Sequence, residues 1–489
     1  MSIQKITLRP GIDTQRTPLL NEGGWSSANL IRFREGLPEV MGGWASLGMP
    51  SLGSTPNGMH AWTTLAGVKM LAAGSATSGA NFLNVIYGGS SYAIIHLTIY
   101  GSLGAWTIDN YGEQLIACRR GGQIYVWLPS SGGGTLAVPI TNSPTQCNAI
   151  FVSNAAEQII ALGYGSNTQV FNPMVVAWCN NGDYTVWTAA PGNNAGQFPL
   201  TDGSQIMWGC RAPQQNLIWT DTALYSMQWV GYPLDYSFNQ LGTACGLIGP
   251  NAAAPIGNAA FWMSNLNFMW YNGTVQVLDC PIRDVVYKNL NWSAAGTIVC
   301  SVNSQFSEVR WDYPSSSSSV PDSYVIYNFV DRTWTYGSNT ASGSILVSRL
   351  SWIDSSVFGN PIAADANGNI WTHETGYTAG GGAMPWYLQS GFFDISAGQD
   401  MMFCDMLMPD AILSSGGSYG LTVASSRYTA DTPGTAYGEP FTVTASTEFL
   451  PLRLRGRQMS VRFDNSPGSV GAFWRLGALR ARIAPDGRN

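Results

Sequence analysis

The sequence predicts an all-β fold: a β-propeller of six or seven blades, with an additional β-sandwich or platform domain formed by the chain ends. Three observations predict it. First, a Trp-ended strand pattern recurs. Residues 122–127 (GQIYVW) and 182–187 (GDYTVW) share one design, in which Gly opens a turn, apolar residues alternate and Trp closes the strand. Looser copies lie at 222–229, 270–278, 327–334 and 365–371. The closing Trp residues are spaced by roughly 40 to 60 residues, the period of a four-stranded blade. Second, helical periodicity is nearly absent, and short apolar runs bounded by turn residues replace it. Those at 113–118, 157–162 and 216–220 read as inner blade strands. Third, 56 Gly and 26 Pro punctuate the 489 residues at the density that many short strands need.

The elements follow in order. Residues 1–50 read as an arm with Gly/Pro breaks. Within it Arg32 and Arg34 alternate with Ile31 and Phe33, which predicts a strand, and Gly36 predicts the turn that ends it. Residues 51–380 carry the propeller. Blade units begin near Met59, Trp106, Asn148, Gln205, Gly257, Thr297 and Ser344, the first two short enough to form one blade. The serine run at 315–319 is a loop tip, and 378–383 is the best linker. Residues 381–489 read as the C-terminal sandwich or platform, with strands at 401–408, 419–424, 441–443, 459–463 and 473–476.

Composition narrows the function. Charged residues make up 11% of the chain, where about 25% is usual. The net charge of −6 is uneven: residues 451–489 hold eight Arg against two Asp, so +6, and the remainder carries −12. An acidic body repels a phosphate backbone. The eight Cys stand singly, without a CxxC or Cys/His cluster. They read as small buried hydrophobes in a reducing compartment, and zinc is not expected. The first twenty residues carry Lys5, Arg9, Asp13 and Arg16 without an apolar core, so no signal peptide is expected. No apolar run is long enough for a membrane span.

Motifs that carry chemistry are scarce. His60, His96 and His373 lie far apart and read as structural donors. Residues 416–420 match GxSxG around Ser418, but that motif needs a strand–turn–helix setting and a later His, and none follows His373. Asp365, Asn367 and Asn369 around Gly368 fit a turn better than a calcium loop, whose Gly belongs at the sixth place. Asp221, Asp235 and Asp284 lie near aromatic clusters, yet nothing ranks them above turn or capping acids. No catalytic centre, cofactor or metal is expected, and the chain is read as no enzyme. Arg453, Arg455 and Arg457 alternate with Leu452 and Leu454, so they share one strand face. An interface with a neighbouring acidic subunit is preferred over DNA, because Arg pairs geometrically with carboxylates. Arg32 and Arg34 are assigned to the same kind of interface.

Both ends of the chain carry a family resemblance. Residues 8–44, from LRPG through LIRFREGLPE to GGW, and residues 454–488, from LRGR through RLG to PDGR, resemble the tail nozzle or hub proteins of short-tailed bacteriophages, also called packaged-DNA-stabilisation proteins. The resemblance implies a structural virion protein of the tail, assembled in the host cytoplasm. It implies a ring of six copies below the portal and its adaptor, with tail fibre or spike proteins as further partners. The propeller would lie outermost, and the two chain ends would build a platform beside the channel. Double-stranded DNA would be retained in the capsid and later conducted through the lumen, with no catalytic residues to carry over. The competing expectation is a glycan-binding or glycan-cleaving propeller. A tryptophan pocket with paired acids would favour it.

Overall fold

Runs of two to nine residues pair with their sequence neighbours into antiparallel four-stranded sheets, and these sheets close into a ring. The computed structural model describes residues 2–17, 20–77, 80–98, 104–153, 155–232, 234–341, 344–355, 357–394, 399–427, 440–465 and 468–487. Among these residues the ring has seven blades. Their innermost strands are Thr55–Thr63, Trp106–Tyr111, Ala149–Ser153, Ile206–Arg211, Ala253–Ile256, Val299–Asn303 and Ser351–Ile353. The two short opening units are therefore separate blades. Helix among the described residues is confined to Arg283–Lys288 and two 3-10 turns.

Blade 7 is closed from the other end of the chain. Its strands Ser351–Ile353, Ile362–Ala364 and Ile370–His373 are completed by Trp44–Ser46, which pairs antiparallel with Ile370–His373. Residue 44 thus belongs to the propeller, six residues inside the segment read as an arm. The 378–383 segment, read as a linker, is also part of this sheet: Thr378–Ala379 pairs with Gly382–Ala383 and lies parallel to Trp44–Ser46. The Gly42-Gly43-Trp44 phrase is explained by this closure. A Cβ on Gly43 would sit 2.3 Å from the Thr378 carbonyl oxygen, so only glycine admits the approach.

The runs at 113–118, 157–162 and 216–220 form second strands, not innermost ones. A second strand is covered by neighbouring blades on both faces and is the most apolar, whereas an innermost strand faces the axis and carries polar residues. Trp127, Trp229, Trp270 and Trp371 sit on third strands of blades 2, 4, 5 and 7, and Trp334 lies on the fourth strand of blade 6. Trp187 differs, since 182–187 is a turn and not a strand. There the Asp183 carboxylate accepts hydrogen bonds from the Thr185 N–H (2.9 Å) and hydroxyl (2.6 Å), and local bonding wins over a ladder.

The two chain ends fold together into a two-sheet sandwich. One sheet runs Ile31–Arg34, Leu37–Val40, Trp474–Pro485, Met402–Leu413, Leu450–Gly456, with Ser2–Ile6 also on Trp474–Pro485. The other runs Trp25–Asn29, Tyr387–Ser390, Gln458–Asp464, Ser418–Ser426, Phe441–Thr444. Trp474 of the first sheet packs on Phe463 (ring centroids 5.4 Å) and Tyr419 (5.9 Å) of the second. The turn expected at Gly36 is a two-residue hairpin loop, with Glu35 at φ 53° and Gly36 at φ 76°.

Candidate functional site

Three places concentrate polar chemistry: the seam between sandwich and propeller, the outer face of the first sandwich sheet, and the propeller axis.

The seam is built on Arg32. Its strand docks against the edge of blade 6, where the Leu30 N–H donates to the Tyr324 hydroxyl (2.6 Å) and the Ser338 N–H donates to Asn29 Oδ1 (2.9 Å). Arg32 is 3% exposed. Its guanidinium donates to both Glu308 oxygens of blade 6 (3.0 and 3.1 Å) and both Glu374 oxygens beyond blade 7 (2.9 and 2.5 Å). It also stacks 3.6 Å over the Phe306 ring. Arg32 is thus an internal clamp joining three parts of one chain. This corrects its assignment to a subunit interface, because a guanidinium 3% exposed, with four of its five N–H donors on two carboxylates of its own chain, presents no surface to a neighbour. A second buried network lies beside it. Arg310 grips Asp312 (2.8 Å twice), Asn339 bridges to Arg349, and Arg349 donates to His373 Nδ1 (3.1 Å). That bond fixes His373 as the neutral Nε2–H tautomer. Burial first, then the Arg349 charge, holds His373 well below the usual His range.

One guanidinium serves two carboxylates in the clamp, and the charges do not balance. Burial pushes Glu308 up to about 7 from 4.5; Arg32 opposes this and Glu374 adds to it. Arg32 itself is held firmly charged by the two acids despite its burial. A raised folded-state pKa means that the native state binds the extra proton between pH 4.5 and about 7. Stability from this group is full below that window and is lost as pH rises through it, by about 3 kcal/mol. Unfolding midpoints across pH 4.5–8 are therefore expected to fall more with rising pH in the wild type than in Glu308→Gln. Parallel pH curves for the two proteins would remove Glu308 as the cause.

The outer face of the first sandwich sheet carries the basic residues. Arg453 and Arg455 are exposed and alternate with inward Leu452, as expected. Arg455 is paired with Asp486 (2.5 Å), and Arg457 donates to the Gln399 carbonyl (3.0 Å). Arg34 is exposed at the opposite edge of the sheet, 5.8 Å from the Phe306 ring. Four strand spacings, about 19 Å, separate it from Arg453, so the two Arg groups share a sheet and do not meet. The strand between them supplies residues that the sequence reading did not single out. Arg480 and Arg482 point outward on Trp474–Pro485, with Lys5 registered opposite Arg480 and Ile3 opposite Arg482. Their signal was the Arg-Ala-Arg alternation at 480–482. Arg482 grips Asp405 through two bonds (2.7 and 2.8 Å). Lys5, Arg453 and Arg480 are exposed and have no ion-pair partner among the described residues. Ile3 (53% exposed) and Ile412 (62%) add apolar area to the same sheet.

The axis holds a cavity of about 440 Å³, lined by all seven innermost strands. His60, Asp109 and Arg211 cluster on its wall. Arg211 lies 3.4 Å from Asp109, His60 Nε2 lies 2.8 Å from Asn110 Oδ1, and Asp109 accepts the Val152 N–H (2.9 Å). Burial holds His60 below its ordinary pKa against the pull of Asp109 and Asn110. Trp106, Trp208 and Trp352 contribute aromatic surface. Asp109 is the one carboxylate among the lining residues, whereas glycoside hydrolysis uses two. Asp221, Asp235 and Asp284 lie elsewhere: Asp221 caps the turn at Ser204, Asp235 accepts from Asn194 (2.6 Å), and Asp284 pairs with Lys288 (3.3 Å). Ser418 opens a strand, with its hydroxyl 2.7 Å from that of Ser469. Asp365 forms the expected turn, accepting from the N–H groups of Asn367 and Asn369 (2.9 Å each).

No family model matches the chain, and no curated protein matches it. A chain of the solved structure described as "Crystal Structure of Mitotic Checkpoint Complex" is similar at 11% identity, over 67% of this chain and 93% of that one, with a TM-score of 0.41. A likeness that distant says nothing about what this chain does.

Proposed function

We propose that this chain is a structural subunit of a short-tailed phage tail, a nozzle or hub that forms a ring below the portal and adaptor, retains packaged DNA and conducts it at ejection. The observation that carries the reading is the sandwich built jointly by residues 2–40 and 387–485 and clamped to the propeller through Arg32. It corresponds to the platform that the resemblance of both chain ends implies. Its outer face is basic, while residues 51–380 hold 16 Asp/Glu against 9 Lys/Arg, a balance of −7. A heterologous ring contact between a basic platform and an acidic neighbouring propeller closes by rotation.

The test is assembly. Co-expression with the portal and adaptor proteins of the same phage should give rings in negative-stain electron microscopy. The double reversal Arg453→Glu/Arg480→Glu should lower ring yield at least tenfold while leaving the melting temperature unchanged, since both side chains are exposed. Persistent monomers under all conditions, or rings indifferent to the reversal, would count against the reading. The aromatic axial cavity favours one alternative, a glycan-binding propeller. Glycan-array binding lost in Trp208→Ala would support that alternative instead.

A further inference from the structure

Blades 2 and 3 meet at two cysteines, one on a strand and one in the segment that leads into the next blade. Cys118 is the penultimate residue of the second strand of blade 2 (Gln114–Arg119), and Cys147 precedes the innermost strand of blade 3. Their Sγ atoms lie 3.0 Å apart, as an S–H···S contact. Both side chains are fully buried, in one apolar cluster with Ile116, Ile124 and Ile150. The backbone fixes the pair: the Cys147 N–H donates to the Gly122 carbonyl (2.9 Å), and the Gly121 N–H donates to the Cys147 carbonyl (2.7 Å). A disulfide has its sulfurs about 2.05 Å apart, so closure needs about 1 Å of relative movement between them. Cys179, in the same cluster, is engaged differently, accepting the Ile159 N–H at 3.1 Å.

We propose that Cys118 and Cys147 are a disulfide-forming pair that cross-links blade 2 to blade 3 when the protein meets a small-molecule disulfide oxidant. One thiolate attacks the oxidant's S–S bond and forms a mixed disulfide, releasing one thiol. The second cysteine displaces the other half. The Cys118–Cys147 bond forms, the oxidant's bond breaks, two protein thiols are oxidised, and the two protons leave on the two reduced oxidant thiols. The barrier is raised because the attacking species is the thiolate, and the hydrogen bond with Cys118, then burial, holds the Cys147 thiol well above the usual range. The reaction therefore belongs to folding or to transient opening of the blade interface. The inference does not depend on the assembly role.

The experiment refolds the full chain from urea in buffer containing oxidised glutathione, with a parallel sample in dithiothreitol. Both are alkylated under denaturing conditions and mapped by mass spectrometry. The dithiothreitol sample should show eight alkylated cysteines, and the oxidised sample six, with one linked peptide pair joining Cys118 to Cys147. The oxidised protein should melt a few degrees higher, since the bridge closes a loop of about 28 residues. That shift should vanish in Cys118→Ser, which also serves as a folding control. Eight free thiols after oxidative refolding, or a link between any other cysteines, would overturn the proposal.

Discussion

Arg32→Met is expected to destabilise the folded chain by about 3–5 kcal/mol, the cost of stranding buried carboxylates after their partner is removed. The Glu308 and Glu374 side chains are 4% and 8% exposed, and both take this one guanidinium as counter-charge. Methionine keeps apolar volume against Phe306 and so separates the charge effect from a cavity effect. Three comparisons make the result specific. Arg34→Met, two residues away and exposed, should change stability by less than about 0.5 kcal/mol. Arg32→Lys should lose most of what Arg32→Met loses, because an ammonium cannot satisfy two carboxylates bidentately. Adding Glu308→Gln and Glu374→Gln to Arg32→Met should recover part of the loss, since neutral amides need no counter-charge. Urea unfolding followed by tryptophan fluorescence reads all four. An Arg32→Met protein as stable as wild type would show that the seam does not hold the sandwich to the propeller.

Removing residues 2–47 is expected to abolish cooperative folding, whereas removing residues 2–7 is expected to be tolerated. The longer deletion takes the closing strand Trp44–Ser46 from blade 7 and four strands from the sandwich. It also takes Trp25, which is 1% exposed and packs edge-on against Phe463. An opened blade exposes the edge of Ile370–His373, and an unpaired edge between apolar faces is an aggregation template. The shorter deletion removes only an edge strand whose side chains are mostly exposed. The readout is solubility, together with the sharpness of the thermal transition. A soluble 2–47 deletion with an intact sharp transition would mean that blade 7 closes without the N-terminal strand.

The sequence by itself determined the class of fold and most of its divisions. Turn glycines, alternating apolar residues and recurrent tryptophans are local signals, and they placed blade starts near Trp106, Asn148, Gln205 and Thr297. Each lies within a few residues of the observed strands at Trp106, Ala149, Ile206 and Val299. The hairpin at Gly36 and the turn at Asp365 were legible for the same reason, since their hydrogen bonds close within a handful of residues. What only the tertiary structure decided were the long-range partners. Glu308 and Glu374 lie 276 and 342 positions from Arg32, and no local pattern marks them as its counter-charges. An Arg on an alternating strand therefore read as a surface contact, when the face it occupies is covered by blade 6. The closing strand at Trp44 and the 3.0 Å contact of Cys118 with Cys147 are of the same kind. A strand's own residues set its alternation, but which face is covered depends on what packs over it, and that partner comes from elsewhere in the chain.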